Sequence, residues 1–446
     1  MTSTAARLPT IAGLARALRD REISASDLAD AALRRTRELN PRLNAFALID
    51  DEGARKAART ADEQIASGID LGPLHGIPVA VKDLIDIAGL PTTCGSATSF
   101  GATAQADAEV VRRLRDAGAV IIGKTTLHEF AYGATGDRSV HGASRNPTDP
   151  SRMSGGSSGG SAVAVAAGMV PLALGTDTAG SVRVPAALCG VVGLKPAYDA
   201  IPSTGVYPLA PTLDHVGLFG ATAEDVLIGY EAISDRQPNA VRSEQLTVGW
   251  IPPGDVAVTD PRIDELTLEL VTRADFTLAT VHGFPKWHRE ESLFEVFSTL
   301  QGHEAFQVHE HHLDDDQDRI DPEVVARLYR GQEISASQYA RADEARREFR
   351  DTVHDLLSAY DVLALPTVPT VAPHVGDRSI TVAGTELEVR AALLSLTSPW
   401  NLAGIPAISV PVGRLDGLPV AVQLVVAAGN EHLMFQAAQA LETTSR

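Results

Sequence analysis

Two clusters of glycine and serine stand where chemistry could be done. Residues 154–161 read SGGSSGGS, with four glycines around the pair Ser157-Ser158, and residues 175–181 read GTDTAGS. A glycine-dense turn lets backbone amides come close to a ligand. A serine ending such a turn is placed to attack a carbonyl carbon while neighbouring amides hold the oxyanion. Both clusters run straight into apolar stretches, which sets them apart from flexible loops. Such a serine needs a base, and neither cluster contains a histidine. His75 lies in the turn GPLHGIP, and Lys82 is the one cation in IPVAVKDLIDI. A lone strand lysine either reaches solvent at a sheet edge or, if buried, loses basicity through desolvation and becomes a usable base.

Two other patterns suggest different chemistry. Gly118-x-x-x-x-Gly123-Lys124-Thr125 satisfies the phosphate-loop formula, which demands a loop after a strand and before a helix. Here the four middle residues are Ala119, Val120, Ile121 and Ile122, a run suited to a buried strand, and a helical pattern precedes them. The strand falls inside the supposed loop, so nucleotide binding is not expected. The run from His303 and Glu304 through His309, Glu310, His311 and His312 offers metal-ligand side chains. Its spacing matches no firm metal motif, and it reads as a helix face. No metal and no cofactor are expected.

The elements that must position these residues can be read from periodicity. Residues 1–65 read as helices, with Thr10 capping IAGLARALRD and Ser24 or Ser26 capping DLADAALRRTREL. From 66 to 221 strands and helices alternate, GIPVAVKDLIDI and AVIIG as strands around the helix ADAEVVRRLRDAG, which argues for an α/β architecture. Residues 222–360 read as a helical decoration. Residues 361–446 return to the core with the strands YDVLALPTVPT and PAISVPVG and a closing helix, EHLMFQAAQALE. With no repeat or linker in view, the 446 residues are expected to form a single domain.

Composition narrows the partners. The net charge of −19 comes with no lysine- or arginine-rich run, which argues against nucleic acid. The two cysteines, Cys94 and Cys189, form no CxxC pair and no disulfide framework, and they fit a reducing compartment. The apolar run 162–174 is too short to span a bilayer and is broken by Gly168 and Pro171. The N-terminal stretch lacks the apolar core of a signal peptide. These features predict a soluble, cytoplasmic protein without membrane partners.

Taken in order, several motifs resemble the amidase signature family of serine hydrolases. They are GPLHGIPVAVKD at 72–83, PTTCGS at 91–96, LRDAGAVIIGKT at 114–125 and SGGSSGGSAVAVAAG at 154–168. GTDTAGSVRVPAALCGVVGLKP at 175–196, TLDHVG at 212–217 and NLAGIPAISVPVG at 401–413 follow. The resemblance spans nearly the whole chain and implies a large mixed β-sheet covered by helices on both faces. It further implies a Ser–cis-Ser–Lys triad. Ser181 would be the nucleophile, and Ser157, following a cis peptide bond, would bridge it to Lys82. The amides of Thr178, Ala179, Gly180 and Ser181 would form the oxyanion hole. Tyr132, in EFAYGATG, and Tyr207, in TGVYPLAP, are candidate pocket residues.

Two departures bear on the substrate. The family often has glycine where Ala179 stands, which narrows the allowed φ of that turn. The TAGS variant resembles allophanate hydrolases, but Pro211 stands where those enzymes carry a carboxylate-binding arginine. The expected substrate is therefore a small, uncharged aryl or alkyl amide, anilide or carbamate (urethane). A rival is the glutamine-hydrolysing subunit of a tRNA amidotransferase, against which SVRVPA in place of SIRQPA and the strong acidity argue. An allophanate-hydrolase-like ureido hydrolase is the other.

Overall fold

The computed structural model describes residues 9–98, 103–235, 245–282, 284 and 292–445. Eleven strands form one mixed sheet. In chain order its first six are β1 (Phe46–Ile49), β2 (Pro78–Lys82), β3 (Val120–Thr125), β4 (Leu172–Thr176), β5 (Val192–Lys195) and β6 (Val216–Gly220). Then come β7 (Thr247–Trp250), β8 (Thr277–Thr280) and β9 (Val362–Pro366). A separate hairpin, β10 (Ser379–Val382) and β11 (Thr385–Glu388), precedes the last pair, β12 (Ala407–Leu415) and β13 (Leu418–Val425). Across the sheet the order is β1-β3-β2-β4-β6-β5-β12-β13-β9-β7-β8. β2 runs parallel to both β3 and β4, whereas β4 and β6 are antiparallel. Strands β2, β4 and β13 are buried along their whole length, which matches their continuous apolar sequences.

Helices cover this sheet, and their ends follow local chemistry. Thr10 caps Ile11–Arg19 by accepting a bond from the Gly13 amide. Ser24, and not Ser26, caps Ala25–Leu43 in a reciprocal box with Asp27, while the Ser26 hydroxyl donates to Asp62. The helix Glu109–Asp116 buries Val110, Val111 and Leu114 and ends before Gly118, as its periodicity predicts. The closing helix runs from Glu431 to Thr444.

Three strands lie where helices alone are expected. β1 falls within the first 65 residues, and β7 and β8 fall within the segment read as helical decoration; all three join the main sheet. Each is only four residues long and sits at or next to a sheet edge, too short for alternation to mark it in sequence. The strand predicted across GIPVAVKDLIDI also stops at Lys82.

The GKT segment is a strand, not a loop. Lys124 is fully buried, its ammonium 3.0 Å from an Asp83 carboxylate oxygen and 3.0 Å from the Thr92 hydroxyl. Gly123 is required by close approach, since a Cβ there would lie 2.2 Å from the Leu48 carbonyl oxygen on β1. The glycine and lysine of the apparent phosphate motif thus serve strand packing and a buried ion pair.

Candidate active site

Lys82 ends β2, which lies between β3 and β4, so its side chain enters the interior and not a sheet edge. Its Nζ lies 2.8 Å from the Ser157 hydroxyl and 2.7 Å from the Thr176 hydroxyl at the end of β4. Full burial, opposed by the charges of Asp214 and Asp177, brings the ammonium down to about 7. The lysine can therefore be neutral near physiological pH while held by two hydroxyl groups.

Ser157 follows a cis peptide bond from Gly156 and is fully buried. The serine-rich segment is fastened to β4 by its side chains. Ser158 Oγ donates to the Thr176 carbonyl at 3.0 Å and accepts from the Thr176 amide at 3.2 Å. Ser161 Oγ donates to the Leu174 carbonyl at 2.8 Å. The Ser158 amide reaches the Ser181 carbonyl at 3.2 Å, which joins the two glycine-serine clusters. Ser181 is 5% exposed, in the turn between β4 and the helix Arg183–Cys189.

That turn is braced from beneath. Asp177 accepts from the Val182 amide at 3.1 Å and from Arg183 Nε and Nη2 at 3.0 and 2.9 Å. Arg183 is fully buried and also donates to the Thr397 carbonyl and to the side chains of Gln423 and Asn401. Burial alone would raise the Asp177 carboxyl, but the Arg183 charge and hydrogen bonds outweigh it and hold it well below the usual range. Thr397 Oγ1 donates to the Ala179 carbonyl at 2.6 Å. With the carbonyl side anchored, the amides of Thr178, Ala179, Gly180 and Ser181 donate to no group among the described residues. Four successive free amides beside a serine are donors available to a developing oxyanion.

Gly180 carries the turn's positive φ, +141°, and a Cβ there would meet Thr397 Oγ1 at 2.2 Å. Ala179 is not among the residues with positive φ, so alanine at that position costs the turn nothing. Thr176, Asp177, Arg183, Thr397 and Asn401 escape the sequence reading. The charge pair Asp177 and Arg183, bracketing a serine in an otherwise apolar stretch, is the signal that marks two of them.

A cavity of about 210 Å³ adjoins the turn, with Thr176, Thr178, Ala131, Tyr207, Pro211 and Asp214 among its lining. Among the described residues no lysine or arginine lines it. Burial first of all raises the Asp214 carboxyl to about 6, although it accepts bonds from the Thr178 hydroxyl and the amides of Leu209 and Ala210. Tyr207 is on this wall, and Tyr132 is not. Phe130 and Ala131 both take positive φ, 51° and 59°, and the chain turns so that Ala131 faces this cavity while Tyr132 lines another, beside Arg327 and Arg390.

The remaining candidates lie apart from the serines. His75 pairs with Gln64 at 3.0 Å. His309 is buried on the helix Leu293–Asp316, its ring 4.4 Å from Phe130 and 5.5 Å from Tyr207, which makes it packing behind the cavity wall. Among the described residues no three His, Cys, Asp or Glu side chains are grouped to hold a metal ion, and no helix is long and apolar enough to cross a membrane.

Known proteins resemble the chain over nearly its whole length. The amidase family model matches residues 27–435. AtzE, the 1-carboxybiuret hydrolase subunit of Pseudomonas sp. (strain ADP), is 36% identical, covering 94% of this chain and 95% of that protein. The glutamyl-tRNA(Gln) amidotransferase of Geobacillus stearothermophilus has one subunit that is 34% identical over 95% of each chain. The crystal structure of an amidase superposes with a TM-score of 0.90 at 32% identity, covering 98% of this chain and 99% of that one. The chain belongs to the amidase signature family and is an amide hydrolase acting on C–N bonds.

Proposed function

We propose that the protein hydrolyses a small uncharged amide, anilide or carbamate through an acyl-enzyme on Ser181, with Ser157 and Lys82 as its proton relay. The observation that carries this reading is the buried Lys82–Ser157 hydrogen bond next to a serine flanked by free amides. Neutral Lys82 accepts the proton of Ser157 as Ser157 accepts that of Ser181, and Ser181 Oγ attacks the carbonyl carbon. The tetrahedral oxyanion is held by the amides of Thr178 to Ser181. Ser157 returns a proton to the leaving nitrogen, the C–N bond breaks and the amine departs. Water then attacks the acyl group, releases the acid and restores Ser181. With a carbamate the same acyl transfer releases an amine.

The cavity beside Thr178 supports the neutral-substrate reading, because its charged lining is acidic and Pro211 contributes no cation. A second reading, action as one subunit of a larger assembly, is favoured by the two relatives whose names describe subunits. The test is the isolated chain assayed against anilides, primary amides, esters and carbamates without ATP or tRNA. Turnover of a neutral amide or carbamate is expected; glutamine hydrolysis confined to a complex would overturn the proposal.

A further inference from the structure

Pro211 is exposed and lines the cavity beside Thr178, so it stands at the cavity's rim. The backbone around it is held by a carboxylate on either side. Asp214 Oδ2 accepts from the amides of Leu209 and Ala210 at 2.8 and 3.0 Å. Glu304, on the helix Leu293–Asp316, accepts from the Thr212 amide at 2.9 Å and from the Thr212 hydroxyl at 2.5 Å. Proline has no N–H, so the segment 209–212 keeps no free backbone donor. The Pro211 carbonyl in turn accepts from the Tyr198 hydroxyl at 2.9 Å. The rim is thus fastened from a helix residue 92 positions further along the chain.

Thr212 is held at three points. Arg346 donates to its hydroxyl oxygen at 2.8 Å, so the hydroxyl proton is directed at Glu304. Tyr339 donates to the same Glu304 oxygen, Oε1, at 2.9 Å. Glu304 is 5% exposed and has no ion-pair partner among the described residues. A buried carboxylate met only by neutral donors is costly to keep. A second carboxylate nearby adds to that cost: the Asp214 carboxyl is raised first by burial and also by the charge of Glu304. What the arrangement gains is direction, because an ionised carboxylate only accepts and so orients every donor around it.

We propose that Glu304 is a positioning residue for specificity: through Thr212 it holds Pro211 at the rim and so limits the size of the substrate group the cavity admits. This role rests on the reading of Ser181 as nucleophile. The test is the rate at which Ser181 is labelled by two fluorophosphonates, one with methyl and one with octyl on phosphorus, followed by mass spectrometry of the digested protein. In Glu304→Ala the octyl-to-methyl ratio of rates is expected to rise about tenfold, the scale on which pocket shape discriminates apolar groups. Thr212→Val, which exchanges only the hydroxyl for a methyl, should raise the ratio by a smaller factor. Glu304→Gln, which keeps one acceptor oxygen, should stay nearest the wild-type ratio. General loosening of the fold would slow both probes alike and leave the ratio unmoved. An unchanged ratio in both Glu304→Ala and Thr212→Val, with Ser181 labelled, overturns the role of Glu304. Ser181 unlabelled by either probe in the wild type removes the nucleophile reading itself, and this role with it.

Discussion

Lys82 Nζ sits 2.8 Å from Ser157 Oγ, and both side chains are wholly removed from solvent. A lysine in that position is mostly neutral above its lowered value of about 7, where the proposed relay would be competent. kcat/KM of the free enzyme should therefore rise with pH through neutrality and level off in the alkaline range. Lys82→Ala should lose most activity near neutrality and regain part of it at high pH, where hydroxide substitutes for the missing base. A flat pH profile, or a Lys82→Ala enzyme with the wild-type neutral rate, would remove lysine from the mechanism.

The Arg183–Asp177 pair is expected to hold the turn in shape. Arg183→Met leaves the Asp177 carboxylate buried with its main counter-charge gone, which typically costs about 3–5 kcal/mol. Denaturant unfolding should show that loss, with reduced turnover because the free amides lose their support. Wild-type stability in Arg183→Met would mean the pair is dispensable.

Charge selection is expected from the wall of the cavity beside Thr178. Asp199 and Asp214 are its acidic members, and position 211 is proline. Burying a substrate carboxylate there without a cation costs several kcal/mol, whereas a neutral aryl or alkyl group gains by burying apolar area. kcat/KM should be much higher for a neutral anilide or carbamate than for an equal-sized substrate with a carboxylate on its acyl side. The reverse order, measured at one pH and salt concentration, would reject the neutral-substrate proposal.

Activity is expected to survive dialysis against a chelator and to need no nucleotide. The histidines at 303–312 share one helix without grouping around a metal-sized space, and Lys124 is committed to Asp83. Loss of turnover on chelation with recovery on adding zinc would contradict this.

The parts of the site legible in the sequence are those its local motifs carry. The glycine-serine clusters mark where Ser157 and Ser181 lie, and the apolar run around Lys82 leaves two readings open until β2 is seen between β3 and β4. Hidden were the long-range supports: Thr397, Asn401 and Gln423 reach Arg183 from more than two hundred residues away, and no local pattern announces them. Tyr132 illustrates another limit of sequence. Adjacent to a cavity residue in the chain, it is carried to a different cavity by the positive φ of Phe130 and Ala131, which neither residue type favours. The strands β7 and β8, at one end of the sheet, were invisible for a plainer reason, four residues being too few to establish a period.

The assignment of Ser181 as nucleophile is tested most directly by a fluorophosphonate, which transfers its phosphonyl group to an activated serine with loss of fluoride. Mass spectrometry of the digested protein should place the adduct on Ser181. Labelling should be absent from Ser181→Ala, whose turnover should fall by on the order of 10⁴-fold or more with the fold intact, and slowed in Lys82→Ala. An adduct on Ser157 or Ser158, or an active Ser181→Ala enzyme, would contradict the account.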